Sequence, residues 1–175
     1  DKVPAGASTH ASSTTEFVVA PNYTPAANNP SSREEVLNYD GDNNSAIGWN
    51  GDIDIRIAAK FPASMVKDYV GMEIYKVELY VNDEPLESKV QIYEMGDYNT
   101  DQPGDMLREQ DFTATPLTWN SIMLEDPVKI DGGDVWVGAY YSTLGGTFVP
   151  GIDAGPANEF GDYVASGPSF SHMSD

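Results

Sequence analysis

Apolar and polar residues alternate along most of the chain after Val36, in short runs closed by turn residues. "IDIRIAAKF" puts Ile53, Ile55, Ile57, Ala59 and Phe61 on one side and Asp54, Arg56 and Lys60 on the other, the period of two that a half-buried strand requires. "YKVELYV" repeats it with Tyr75, Val77, Leu79 and Val81 inward. "NDEP" then turns the chain into "KVQIYEM", with Val90 and Ile92 inward, which predicts a hairpin or meander. "WNSIML" and "VWVGAYYS" predict two more strands on either side of a Gly-Gly turn, with Trp119 and Trp136 read as core.

A helical pattern occurs once, in "PASMVKDYVG", where Ser64 is placed to cap, Met65, Val66, Tyr69 and Val70 make a face, and Gly71 stops it. Many short strands with one short helix near 64–70 predict an all-β fold, a jelly-roll-like antiparallel β-sandwich. No repeat of 20–50 residues is visible, which disfavours propellers and solenoids.

Residues 1–35 have a different texture. They are dominated by Ala, Ser, Thr, Pro and Asn, with one apolar island at Phe17–Val19. This predicts an extended arm or linker ahead of a sandwich domain at 36–175, with "TEFVVAP" docking as an edge strand ended by Pro21. The first residues, "DKVPAGAS", lack an initiating Met, and a processed or longer parent protein is expected.

At 175 residues and 19.0 kDa, one core is expected. Twenty-eight acidic against nine basic residues leave a formal charge of −19, which repels phosphate backbones and anionic lipid, so nucleic acid is excluded as a partner. No apolar run approaches the ~20 residues of a membrane-spanning helix, so no membrane insertion is expected. Zero cysteines remove disulfides, thiolate metal sites and a cysteine nucleophile.

Catalytic chemistry is thinly supplied. Histidine occurs only as His10 and His172, so a Ser-His-Asp triad or a His-ligated zinc would have to be built from the chain ends. A glycosidase pair could be drawn from Asp40, Asp42, Asp52, Asp54, Asp153, Glu159 and Asp162. So acidic a chain offers such pairs by chance, and the expectation is no enzyme.

Metal chemistry has a more specific candidate. In "NYDGDNNSAIGWNGD" Asp40, Asp42 and Asn44 follow the i, i+2, i+4 spacing with which calcium loops converge side-chain oxygens on one hard cation. Ser45 and Gly51 occupy the positions where an EF-hand needs Gly and a bidentate Glu, which excludes that motif. The competing reading is a solvated turn whose Asp and Asn satisfy local backbone donors. Trp49, Tyr93, Tyr98, Tyr140 and Tyr141 could offer flat faces on which sugar rings stack. "GIDAGPANEFGDY", Gly151–Tyr163, reads as a long loop that carries Asp153 and Asp162.

The succession "YDGDNNSAIG", "IAAKFPASMVKDYVGMEIYKVELYVND", "VQIYEMG", "TWNSIMLEDPVKIDGGDVWVGAYY" and "PGIDAGPANEFGDYV" resembles the jelly-roll modules of secreted multidomain Bacteroidetes proteins. The named relatives are the cleaved-adhesin domains of gingipain and hemagglutinin type, and the resemblance covers roughly residues 36–166. It implies a non-catalytic module of cell adhesion or carbohydrate and ligand binding, extracellular or at the cell surface, beside other domains of a larger surface protein. Its implied partner is a glycan or a host or extracellular protein. It also implies a structural Ca²⁺, for which the matching positions are Asp40, Asp42, Asn43 and Asn44, with Asp153 as the distant ligand. Trp49, Tyr98 and Tyr141 are the expected ligand-binding aromatics. The alternatives are a carbohydrate-active enzyme with an Asp/Glu pair, and a structural spacer or assembly subunit. The arm before Val36 and the ending "GPSFSHMSD" depart from the family pattern.

Overall fold

A computed structural model of the chain describes residues 15–20, 35–39, 41–156 and 158–173. Two antiparallel sheets enclose one interior. The first has β1 (Thr15–Ala20), β2 (Glu35–Asn38), β5 (Glu73–Val81) and β8 (Thr118–Lys129) in the order β2-β1-β5-β8. The second has β4 (Ile53–Phe61), β6 (Glu87–Met95), β7 (Pro103–Asp111), β9 (Val135–Thr143), β11 (Tyr163–Ala165) and β12 (Ser171–His172) in the order β12-β11-β4-β9-β6-β7. A small ladder pairs β3 (Ser45–Ala46) with β10 (Gly151–Ile152). The chain changes sheets between β4 and β5, β5 and β6, β7 and β8, and β8 and β9. These crossings give the jelly-roll-like sandwich that the alternating pattern predicts.

The alternation in β4 explains its place. Ile55, Ile57, Ala59 and Phe61 are buried in the interior, where Val77, Leu79, Val90, Ile92, Val137 and Tyr141 face them from both sheets. β5 departs from its expected parity. A bulge shifts its register between Ile74 and Lys76, so Ile74 enters the main core while Tyr75 packs with Val18 in a separate cluster.

The apolar island of the arm belongs to the sandwich. β1 pairs with β2 on one side and β5 on the other, so it is an inner strand and not the edge strand expected, and residues 15–20 belong with the domain begun at 36. Phe17 and Val19 are fully buried, and the Phe17 ring meets Phe61 edge-on at 4.6 Å. Phe17 and Val19, two residues apart, enter the main core, while Val18 between them packs with Tyr75. Glu35, the last residue of the expected arm, opens β2, and residues 1–14 and 21–34 lie outside the described residues.

The helix is α-helical at Ala63–Val66 and continues as a 3-10 turn at Lys67–Tyr69. Ser64 is inside it and not its cap. Pro62 precedes it without a side-chain cap, and the Asp134 carboxylate accepts the Ala63 N–H at 2.8 Å. Gly71 ends the segment at φ +87°, a left-handed conformation that glycine adopts without a Cβ penalty.

The outer face of the six-stranded sheet carries a second apolar cluster. Trp136, Tyr93, Tyr163 and Phe170 pack there with Ala58 and Ala165, so Trp136 is buried as expected but outside the sandwich interior. Among the described residues no helix is long and apolar enough to cross a membrane.

Candidate functional site

The β3–β10 ladder brings together the two acidic loops that the sequence separates. Ile152 pairs with Ser45, Asn44 donates its amide to the Ile152 carbonyl at 2.9 Å, and the chain on either side diverges into an open cleft of about 490 Å³. Asp42, Asn43, Asn44 and Asp153 line it with Tyr39 and Pro156. Tyr39 anchors the cleft to β4: its hydroxyl donates to the Lys60 carbonyl at 2.9 Å and its ring stacks on Phe61 at 5.0 Å. Burial, with Asp134 and Glu159 adding to it, pushes the Tyr39 phenol well above its ordinary range.

Asp153 is a buried polar residue whose two oxygens face both loops. Oδ1 accepts the Gly155 amide at 2.8 Å and Oδ2 accepts the Gly41 amide at 3.4 Å. The Asn43 side-chain oxygen is buried with no hydrogen-bond partner among the described residues. A buried amide oxygen without a donor costs about 1–3 kcal/mol, and a cation is one group that satisfies it. Asp42, Asn43 and Asp153 are hard oxygen donors, the set that suits Ca²⁺, with backbone carbonyls and water able to complete six to eight ligands. Among the described residues no group of three or more Asp, Glu, His or Cys side chains is placed to hold a metal, and the described carboxylates that line the cleft are those of Asp42 and Asp153. Asp40 lies outside the described residues.

Much of the acidity elsewhere serves the backbone. Asp52 accepts the Gly145 amide at 2.8 Å, Asp83 the Phe148 amide at 2.7 Å, Asp97 the Asn99 amide at 2.9 Å and Asp131 the Gly133 amide at 3.0 Å. Carboxylates at loop tips replace the partners that those N–H groups lack outside the sheets.

The expected aromatic platform does not form. Tyr141 faces the interior of β9 and is 0% exposed, because its parity places it with Val137 and Ala139; it cannot stack a ligand, and burial pushes its phenol far up. Trp49 packs partly buried against the main core just before β4, at the sheet end where Ile53 pairs with Thr143. Tyr98, 83% exposed, follows β6 at the end where Phe61 pairs with Val135. A nine-residue strand separates these ends, roughly 30 Å. Tyr93 is buried and donates its hydroxyl to Gln91, while Tyr140 lies beneath Lys89.

Two arrangements differ from the sequence expectations or add to them. Trp119, expected in the core, is 37% exposed and meets Tyr80 on the outer face of the four-stranded sheet. The parity of "WNSIML" carried that signal: Asn120, Ile122 and Leu124 are buried, which turns Trp119, Ser121 and Met123 outward. The second arrangement gathers Lys60, Asp101, Asp162, Tyr163 and His172 at one end of the six-stranded sheet. Lys60 Nζ is 2.7 Å from Asp101 Oδ1, Tyr163 donates to Asp101 Oδ2 at 2.6 Å, and His172 Nδ1 is 2.6 Å from Asp162 Oδ1. His172 Nε2 faces Asp101 Oδ2 at 3.9 Å, where a Ser-His-Asp triad would require a nucleophile's hydroxyl. These contacts fasten β12 onto β11 and the β6–β7 connection.

Burial acts against charge on Asp101, but hydrogen bonds from Lys60 and Tyr163 outweigh it and hold the carboxyl below its ordinary range. Burial first, then Asp101, pushes the Tyr163 phenol well above its own.

Comparison with protein-family models, with curated proteins and with solved structures returns no match for this chain.

Proposed function

We propose that the chain is a non-catalytic extracellular module for adhesion or ligand binding, of the cleaved-adhesin kind that its sequence resembles, stabilised by a structural Ca²⁺. The observation that carries this reading is the meeting of the Asp42–Asn44 loop with Asp153 in one cleft, beside a buried Asn43 oxygen that lacks a partner among the described residues. Calcium there would tie the β2–β3 connection to the segment after β10 and so hold two long surface loops in one shape for recognition. The module would act at the cell surface beside other domains of a larger protein, with a glycan or an extracellular protein as ligand.

Calorimetric titration of chelator-treated protein with CaCl₂ tests the metal. One Ca²⁺ per chain should bind, and Asp42→Asn combined with Asp153→Asn should abolish it. No heat of binding to the wild type, or unchanged binding to the double variant, would remove this site.

A further inference from the structure

We infer that the groove beside Trp119, along the outer face and edge of β8, is a binding site for a neutral saccharide. The inference rests on the ligand-binding reading above and gives that ligand a place and a chemical class.

Trp119 lies directly across from Tyr80 in the β5–β8 register, and the two rings meet edge to face at 6.0 Å and 87°. Strand parity turns the indole outward, and this contact packs it against the Tyr80 ring at the surface. Beside it runs an open groove of about 550 Å³, within the usual range for small-ligand sites. Thr113, Thr115 and Thr118, each bearing a hydroxyl, are among the residues that line it, with Phe112 and Met123 as apolar surface. Among the described residues no charged side chain lines it, although the chain carries 28 acidic and nine basic residues. An aromatic surface rimmed by neutral hydroxyls matches a pyranose ring, which has an apolar C–H face and a hydroxyl rim. An anionic ligand would meet the field of the −19 chain, and a cationic one would find no carboxylate in the lining.

The groove is braced before any ligand arrives. Asn120 accepts the Thr115 amide at 2.7 Å and donates to the Thr115 and Thr118 carbonyls, each at 3.0 Å, which fastens the turn that forms one wall. Such a preformed wall lowers the ordering cost of binding. An added peptide strand is disfavoured because the Gln110 side chain already occupies the β8 edge, donating to the Met123 carbonyl at 2.9 Å and accepting the Glu125 amide at 2.8 Å.

The test is an array of neutral and sialylated oligosaccharides, followed by calorimetric titration of the full chain with the neutral glycans retained, with tryptophan fluorescence recorded alongside. Wild type should bind neutral glycans in preference to sialylated ones. Trp119→Ala, checked for folding by its melting curve, should weaken binding about tenfold or more, the scale of an aromatic anchor. If Trp119→Ala does not fold, Trp119→Phe should still weaken binding and abolish the fluorescence change. Undiminished binding by the folded variant would overturn this site while leaving a ligand-binding module with its ligand elsewhere. Absence of any neutral-glycan binding by folded wild type would overturn the saccharide, and calcium binding would then decide the wider reading independently.

Discussion

The Asp153 carboxylate accepts the Gly41 amide at 3.4 Å across 112 residues of sequence, and so joins the two loops that flank the β3–β10 ladder. The bond is long, and the same carboxylate holds Gly155 at 2.8 Å. Asp153 therefore shapes the cleft through backbone amides whether or not it also serves a cation. Asp153→Ala leaves both N–H groups without this acceptor and should cost about 1–3 kcal/mol in calcium-free urea unfolding. A loss within 0.3 kcal/mol of zero would mean that solvent replaces the carboxylate and that the loops do not depend on it.

Phe17 shows how firmly the N-terminal strand belongs to the core. Phe17→Ala removes a fully buried ring in contact with Phe61 and should destabilise the protein by about 3–5 kcal/mol. Deleting residues 1–20 should leave β5 without its inner neighbour and prevent cooperative unfolding. A truncated chain that melts like the full one would show β1 to be dispensable.

Gln110 protects a sheet edge. Its amide occupies Met123 O and Glu125 N on β8, the groups that another chain would pair with. Gln110→Ala should lower stability by only about 0.5–1.5 kcal/mol, since the site is exposed, but should promote self-association at high concentration. Sedimentation velocity checks this, with a concentration-independent monomer as the contrary result.

The cluster around Asp101 predicts opposite effects in acid and alkali. Its carboxyl titrates lower folded than unfolded, so its stabilising contribution is full above the unfolded value of about 3.9 and is lost as pH falls through the folded one. Tyr163 titrates higher folded than unfolded; its contribution is full below about 10 and is lost as pH rises through the folded value. Asp101→Asn should flatten the acid limb of a stability–pH profile and Tyr163→Phe the alkaline limb. Profiles parallel to the wild type would contradict these couplings.

Strand identity was legible wherever one face alternates cleanly, as in β4 and β6, because burial on one side of a pleated strand leaves a period of two. β1 was legible only as an apolar island; its inner position depends on pairing with β5, a partner more than fifty residues away, which local composition does not encode. The bulge at Tyr75 reversed the parity of one end of β5 in the same non-local way. At the site, the approach of Asp153 to Asp42–Asn44 was expected from resemblance rather than from spacing. Tyr141 and Trp119 differ from expectation for a shared reason: strand parity, and not aromatic identity, sets which face a side chain takes. In β9 that parity sends Tyr141 inward, and in β8 it sends Trp119 out.

Thermal unfolding with and without calcium tests the structural Ca²⁺ most directly. Chelator-treated protein should melt at a clearly lower temperature than protein in Ca²⁺ at a hundred times its Kd, where binding adds about 2.7 kcal/mol, and Mg²⁺ at the same concentration should restore little of the difference. Identical melting temperatures in Ca²⁺ and EDTA would contradict a calcium-stabilised cleft.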